Sequence, residues 1–158
     1  MKIIEHNVTV IPYSSDLKEA IKILNYEWLN RYFKIEPIDE KVLSNPQGEI
    51  IDKGGLIFYA KYNNQVVGTV SLLKIEEGVF ELTKMAVTNT VQGLGVGTIL
   101  LSHIDTVIES EKIKKLILYS NRILHPALHL YRKFGFIEVP LEDGIYDRAD
   151  IKMEKNIF

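Results

Sequence analysis

Gln92-Gly93-Leu94-Gly95-Val96-Gly97 is the stretch whose reading decides the fold. An apolar run ending Lys84-Met85-Ala86-Val87 leads into it, and a helical pattern starting Thr98-Ile99-Leu100-Leu101 leads out. A strand, a glycine turn and a helix in succession gather backbone N–H groups at one point. The first turn of a helix leaves its N–H groups unpaired, and its dipole end is positive. Glycine lets a bulky phosphate approach the backbone closely. The stretch therefore predicts a phosphate-bearing ligand across residues 92–98; read alone, it also fits a tight connection with no ligand.

The surrounding chain limits the choices. Its 158 residues predict a single domain, 1–158, long enough to bury a core. A hydrophobic share of 46% beside a charged share of 25% is that of an ordinary globular chain. A net charge of −2 argues against a nucleic-acid surface. The absence of cysteine excludes disulfides and a cysteine nucleophile, and fits a reducing compartment. Met1 to His6 carries polar residues where a signal peptide needs an apolar stretch, and no apolar run approaches the ~20 residues of a membrane span. The expectation is a cytoplasmic protein with no membrane or nucleic-acid partner.

Residues 3–12 read as a first strand stopped by Pro12. Ser14, Ser15 and Asp16 offer caps for a helix carrying Leu17, Ala20, Ile21, Leu24 and Trp28 at helical spacing. A shorter helix begins at Pro37. Residues 56–62, 66–74 and 79–87, joined by short turns, predict an antiparallel meander rather than a βαβ unit. A helix over 95–108 follows the glycine turn. Residues 116–120 form the next strand, parallel to the one before that helix. His125 caps and Pro126 starts a further helix ending at Gly135; short strands at 136–139 and 149–155 finish the chain. This is an α+β fold: a central mixed, mostly antiparallel sheet of about seven strands flanked by about four helices.

Two common phosphate-binding turns do not fit. A P-loop needs Lys then Ser/Thr after its last glycine, but Gly97 is followed by Thr98-Ile99. A dinucleotide fold needs G-x-G-x-x-G inside a parallel βαβ unit, whereas the spacing here is G-x-G-x-G after antiparallel strands. The next strand also ends in Asn121, without a ribose-binding carboxylate.

Met85-Ala86-Val87 followed by Gln92-Gly93-Leu94-Gly95-Val96-Gly97 resembles the acyl-CoA signature of the GNAT N-acetyltransferases, Gln/Arg-x-x-Gly-x-Gly/Ala. Asn121, Ala127 and Leu130-Tyr131-Arg132-Lys133-Phe134-Gly135-Phe136 resemble the family's second signature: an Asn closing a strand, a helix carrying Tyr, then Gly-Phe. The resemblance spans the whole chain. Asn89 departs from it, standing where many members have proline.

The resemblance implies transfer of an acetyl group from acetyl-CoA, as co-substrate, to an amine, without a metal. It implies pyrophosphate on the N–H groups of residues 93–98, and pantetheine between strands 79–87 and 116–121 against Met85, Val87 and Asn121. A backbone N–H near Met85–Ala86 would polarise the thioester. Tyr131 matches the family's general acid, with a core tyrosine as the alternative. Glu81 matches the base of the histone-acetylating branch; water chains or a solvated strand carboxylate are the alternatives. Period-2 alternation puts Glu81 and Met85 on one face. His125 and His129 are spaced i, i+4, but the zincin glutamate is missing, so no metal is expected.

For the acceptor, residues 27–52 carry six acids against three bases, and Glu142, Asp143 and Asp147 add to the bias. That favours a cationic amine, either a small molecule or a lysine side chain, unless it is merely a solvated acidic surface. Trp28, Tyr32 and Tyr146 are candidates to line the acceptor pocket. A catalytically inactive CoA-binding sensor, or an interaction module such as a homodimer subunit, is the alternative on the same fold.

Overall fold

In the computed structural model, which describes residues 7–142 and 146–157, the chain forms one seven-stranded sheet. The strands are β1 (Val8–Pro12), β2 (Leu56–Tyr62), β3 (Gln65–Glu76), β4 (Val79–Val87), β5 (Lys115–Ser120), β6 (Ile137–Val139) and β7 (Ile151–Asn156). Their order is β1-β2-β3-β4-β5-β7-β6, antiparallel throughout except for the parallel β4/β5 pair. Four α-helices cover it: α1 (Lys18–Tyr32), α2 (Pro37–Ser44), α3 (Val96–Ser110) and α4 (His125–Lys133). No helix is long and apolar enough to cross a membrane, among the described residues.

Both faces of the sheet are covered, which explains why β2 reads as a continuous apolar run. Phe58 and Ala60 face one cluster, with Leu100, Leu101 and Ile104 of α3, Leu128 of α4, and Val70, Leu72 and Leu82 of the sheet. Ile57 and Tyr59 face the other, with Ile21 and Leu29 of α1 and Leu43 of α2. The glycine turn therefore hangs from a helix fixed to one face, while α1 and α2 close the other.

Some boundaries differ from the sequence reading. Ile3 and Ile4 of the expected first strand lie outside the described residues, and β1 begins at Val8. A single turn, Ser15–Leu17, precedes α1, whose N-cap is Leu17. The Ser14 hydroxyl bonds the Asp16 carboxylate instead of a backbone N–H. Local side-chain hydrogen bonding competes with capping in this way. His125 is the first residue of α4 rather than its cap; Leu124 takes that place and Pro126 still falls in the first turn, where its missing N–H is no loss.

Leu100 is fully buried where α3 meets β3. Leu100→Ala is expected to lower stability by about 2–5 kcal/mol, because the cavity adds to the lost burial. A urea titration with an unchanged slope and a lower midpoint checks this.

Candidate active site

β4 and β5 pair only through Val79–Glu81 against Lys115–Ile117. Beyond Glu81 they share no ladder, so the edge of β4 from Leu82 to Val87 faces a gap. On its other side β4 is also interrupted. Thr83 stands opposite Ser71 and Ala86 opposite Thr69, so Lys84 and Met85 together face the single residue Val70. This is a β-bulge, and Lys84 takes a left-handed φ of 53°, which is costly for a lysine.

The bulge overturns the expected shared face of Glu81 and Met85. One extra residue shifts the alternation by one. Leu73, opposite Glu81, packs into the cluster under α1 and α2, whereas Met85 packs against the cluster under α3.

On the α1/α2 face lies a buried polar cluster. Lys84 Nζ donates to Asp39 Oδ1 at 2.9 Å, with both side chains almost wholly buried. Arg148 donates to both Asp39 oxygens at 2.7 Å and to Glu36 at 2.9 Å. Asp39 also accepts the Glu36 N–H at 2.9 Å, at the start of α2. Burial alone would raise the Asp39 carboxyl, but the Arg148 hydrogen bonds and the Lys84 charge outweigh it and hold its pKa at about 2. The Tyr146 ring lies against both cations, 4.7 Å from Lys84 Nζ and 4.9 Å from the Arg148 guanidinium.

Glu81 borders this cluster at 1% exposure. Its Oε2 accepts the Tyr146 hydroxyl at 3.1 Å, while its Oε1 is buried with no partner among the described residues. Burial pushes the carboxyl above its usual pKa; the Tyr146 hydrogen bond and the Lys84 charge offset part of the rise. The Ser71 hydroxyl, on the neighbouring strand, is also buried without a partner among the described residues.

At the glycine turn, Gly95 is the N-cap of α3 with φ 96°, a conformation that favours glycine. The first helical bond of α3 runs from Ile99 N–H to Gly95 O at 3.1 Å. The N–H groups of Gly93, Gly95, Val96, Gly97 and Thr98 find no acceptor among the described residues. Gly97 has a different role. A Cβ there would lie 3.0 Å from Leu130 and 3.4 Å from Met85, so its smallness lets α3 settle against α4 and β4.

Comparison with known proteins bears on this geometry. The profile described as "Acetyltransferase (GNAT) family" matches residues 22–136. The chain belongs to the GNAT acetyltransferase family. A GNAT acetyltransferase from Staphylococcus aureus Mu50 superposes with a TM-score of 0.84 at 22% identity, covering 94% of this chain and 98% of its own. An acetyltransferase from Streptococcus agalactiae 2603 gives 0.83 at 18%, covering 96% and 99%. The PaiA N-acetyltransferase from Thermoplasma acidophilum, solved in complex with coenzyme A, gives 0.72 at 19%, covering 95% and 99%. These likenesses establish the fold, the acyltransferase class coming from the family. No curated protein matches the sequence significantly.

On this GNAT scaffold the sequence-derived positions fall into three groups. Met85, Ala86 and Val87 line the gap edge of β4; the Val87 carbonyl accepts Gln92 Nε2 at 3.0 Å. Gln92, Gly93 and Leu94 are exposed, and Gly95, Gly97 and Thr98 half-buried, while the Val96 side chain is in the core. Tyr131 and Ala127 are half-buried on α4. Tyr131 packs edge-on to Phe136, its rings 6.0 Å apart, and burial pushes its phenol up to about 12. Asn121 is engaged within the protein: its Nδ2 donates to Arg148 O at 2.7 Å and its Oδ1 accepts Ile123 N–H at 3.0 Å. Of the acceptor candidates, Tyr146 joins Glu81 directly and Trp28 faces Arg148 at 5.7 Å. Tyr32 is 47% exposed against Arg31, away from that group.

The sequence reading missed Asn25, Lys84 and Arg148 as site elements, and counted Glu36 and Asp39 only in an acidic bias toward a cationic acceptor or a solvated surface. A buried lysine leaves no mark in the sequence; its partners come from a helix and a loop distant in the chain.

Asp39→Ala is expected to cost about 3–5 kcal/mol, since it leaves Lys84 buried without its counter-charge. The native Asp39 contribution is complete above its ordinary pKa and is lost as pH falls from there toward about 2. Acid-unfolding curves followed by circular dichroism check both: the variant should show less pH dependence in that window.

Proposed function

We propose that this chain moves the acetyl group of acetyl-CoA to a primary amine by direct attack. The carrying observation is the Glu81 carboxyl, buried where β4 and β5 part, with Oε1 unengaged among the described residues. A buried acceptor atom without a donor is costly. An incoming amine, or a water relaying its proton, supplies that donor.

The unpaired N–H groups of Gly93 and Gly95–Thr98 hold the pyrophosphate, aided by the positive end of α3. The arm lies along the gap edge of β4, against Met85–Val87. A main-chain N–H at the bulge donates to the thioester oxygen and stabilises the negative charge that develops there. The amine nitrogen attacks the carbonyl carbon, the C–N bond forms and the C–S bond breaks. The ammonium proton passes to Glu81, and the departing thiolate takes one from Tyr131, which then regains it from solvent. Burial raises the Glu81 pKa toward neutrality, as suits a base, and keeps Tyr131 protonated at every working pH.

Glu27, Glu36, Asp39 and Glu49, four of the six acidic residues of 27–52, are engaged within the protein and do not select the acceptor on this reading. Glu27 holds Thr88 and Asn89, Glu36 and Asp39 hold Arg148, and Glu49 pairs with Lys41 and Lys53. Glu81 is what meets the amine, from a small molecule or a lysine side chain. The absence of cysteine fits a cytoplasmic location.

A panel of amines assayed for free CoA tests the reading. CoA release with at least one amine is expected, together with a rise in melting temperature on adding acetyl-CoA. No thermal shift, and no release with any amine, would remove the proposal. A thermal shift without release would leave a CoA-binding sensor.

Glu81→Gln is expected to lower kcat by about 10²–10⁴-fold. In the native protein the rate should fall as pH drops through a value above the ordinary glutamate pKa, because only the ionised carboxylate accepts a proton. That limb should vanish in the variant. Tyr131→Phe should lower kcat while leaving acetyl-CoA affinity unchanged, as isothermal titration can measure.

A further inference from the structure

The bulge that carries Lys84 is gripped from α1. Asn25, fully buried, donates from Nδ2 to the Lys84 carbonyl at 3.1 Å. That amide is itself immobilised: Nδ2 also donates to Ile21 O at 2.8 Å, and the Trp28 indole N–H donates to Oδ1 at 3.2 Å. The Lys84 side chain is tied separately, to Asp39 on α2. One residue of β4 is thus held at its carbonyl by one helix and at its side chain by another.

A trans peptide is planar, and its C=O and N–H point in opposite directions. Fixing the Lys84 carbonyl toward α1 therefore fixes the Met85 N–H away from α1. That is the side on which Met85 packs, toward α3 and Gly97. Lys84 and Met85 have no one-to-one partner in the β3 register, and β4 has no ladder with β5 at this level, so the regular alternation of the sheet does not by itself fix the peptide's orientation. The left-handed φ at Lys84 is the conformational cost of the arrangement.

We infer that Asn25 is a positioning residue: by holding the Lys84 carbonyl, it aims the Met85 N–H at the thioester oxygen of the acyl donor. This rests on the acetyl-CoA reading above. Asn25 does not touch the substrate; it acts through the Lys84–Met85 peptide. A donor aimed in advance needs no reorganisation as charge develops, which is where the rate advantage of such groups arises. Asn25 also links donor and acceptor sides of the site, because Trp28, its hydrogen-bond partner, faces Arg148.

The test uses acetyl-CoA labelled with ¹³C at the carbonyl, bound without amine, and reads the C=O stretch by difference infrared spectroscopy. The wild-type protein is expected to lower the stretching frequency below that of free acetyl-CoA. Asn25→Leu keeps the size and removes the donor. It is expected to bind acetyl-CoA within about threefold of wild type, to return the stretch toward the free value, and to lower kcat by about 10²-fold. Asn25→Ser, which can satisfy Ile21 O but is too short to reach Lys84, is expected to give the same result and serves if the leucine variant does not fold. An unchanged stretch in a variant that binds acetyl-CoA overturns the inference alone. A wild-type protein that binds no acetyl-CoA overturns the reading beneath it and this inference with it.

Discussion

The ion pair between Lys84 and Asp39 is the constraint on which the rest of the site depends. An ammonium and a carboxylate at 2.9 Å, both nearly free of solvent, persist because the carboxylate is further satisfied and the ammonium lies against the Tyr146 ring. Asp39 supplies that satisfaction by accepting from Arg148 and from the Glu36 backbone, and so binds the α2 N-terminus to the β6–β7 connection. Lys84 in turn sits at the one point where β4 leaves regular geometry. A packed apolar pair there would hold the layers together equally well. It would not fix the bulge in register, because methyl groups lack directional bonds. The cluster has a second effect on Glu81. Burial raises the pKa of the Glu81 carboxyl even though the Tyr146 hydrogen bond and the Lys84 charge oppose the rise.

Much of the fold was legible because it rests on local patterns. The meander from Leu56 to Val87 is written in three β-rich runs separated by Asn63-Asn64 and Glu77-Gly78 turns. The parallel placement of β5 follows from the helix between it and β4. What was not legible depends on contacts between distant residues. Nothing near Lys84 announces a bulge: no glycine occupies it, and its left-handed backbone is held by Asn25 and Asp39 from 59 and 45 residues away. The alternation argument that placed Glu81 and Met85 on one face failed for that reason. Likewise, Glu27, Glu36 and Asp39 counted only toward an acidic bias because their partners, Thr88, Asn89 and Arg148, lie far along the chain.

The glycine-rich stretch also divides differently from its first reading as a uniform anion cradle. Gly95 provides the left-handed cap that starts α3, and Gly97 lets α3 approach Leu130 and Met85. The unpaired backbone donors of Gly93 and Gly95–Thr98 are what remains of that cradle. Gln92 bonds Val87 O, which ties the end of β4 to the start of the turn. The same short segment carries the unpaired N–H groups of the turn and, through Gly97, packs against Met85 of β4.

The brevity of the β4/β5 pairing has a mechanical meaning. By topology this is one sheet of seven strands, but only the Val79–Glu81 and Lys115–Ile117 registers join its two halves. Four strands lie on one side and three on the other, each with its own closed ladder. The molecule behaves as two small sheets meeting along a short seam at one end and opening toward the other. Anything seated in the opening supplies the cross-links that backbone pairing omits there. The seam stays where the strands are paired, so widening concentrates at the far end of the wedge, beyond the bulge and toward Val87. The fold thus keeps its core closed while leaving the opening between its halves as its most adjustable dimension.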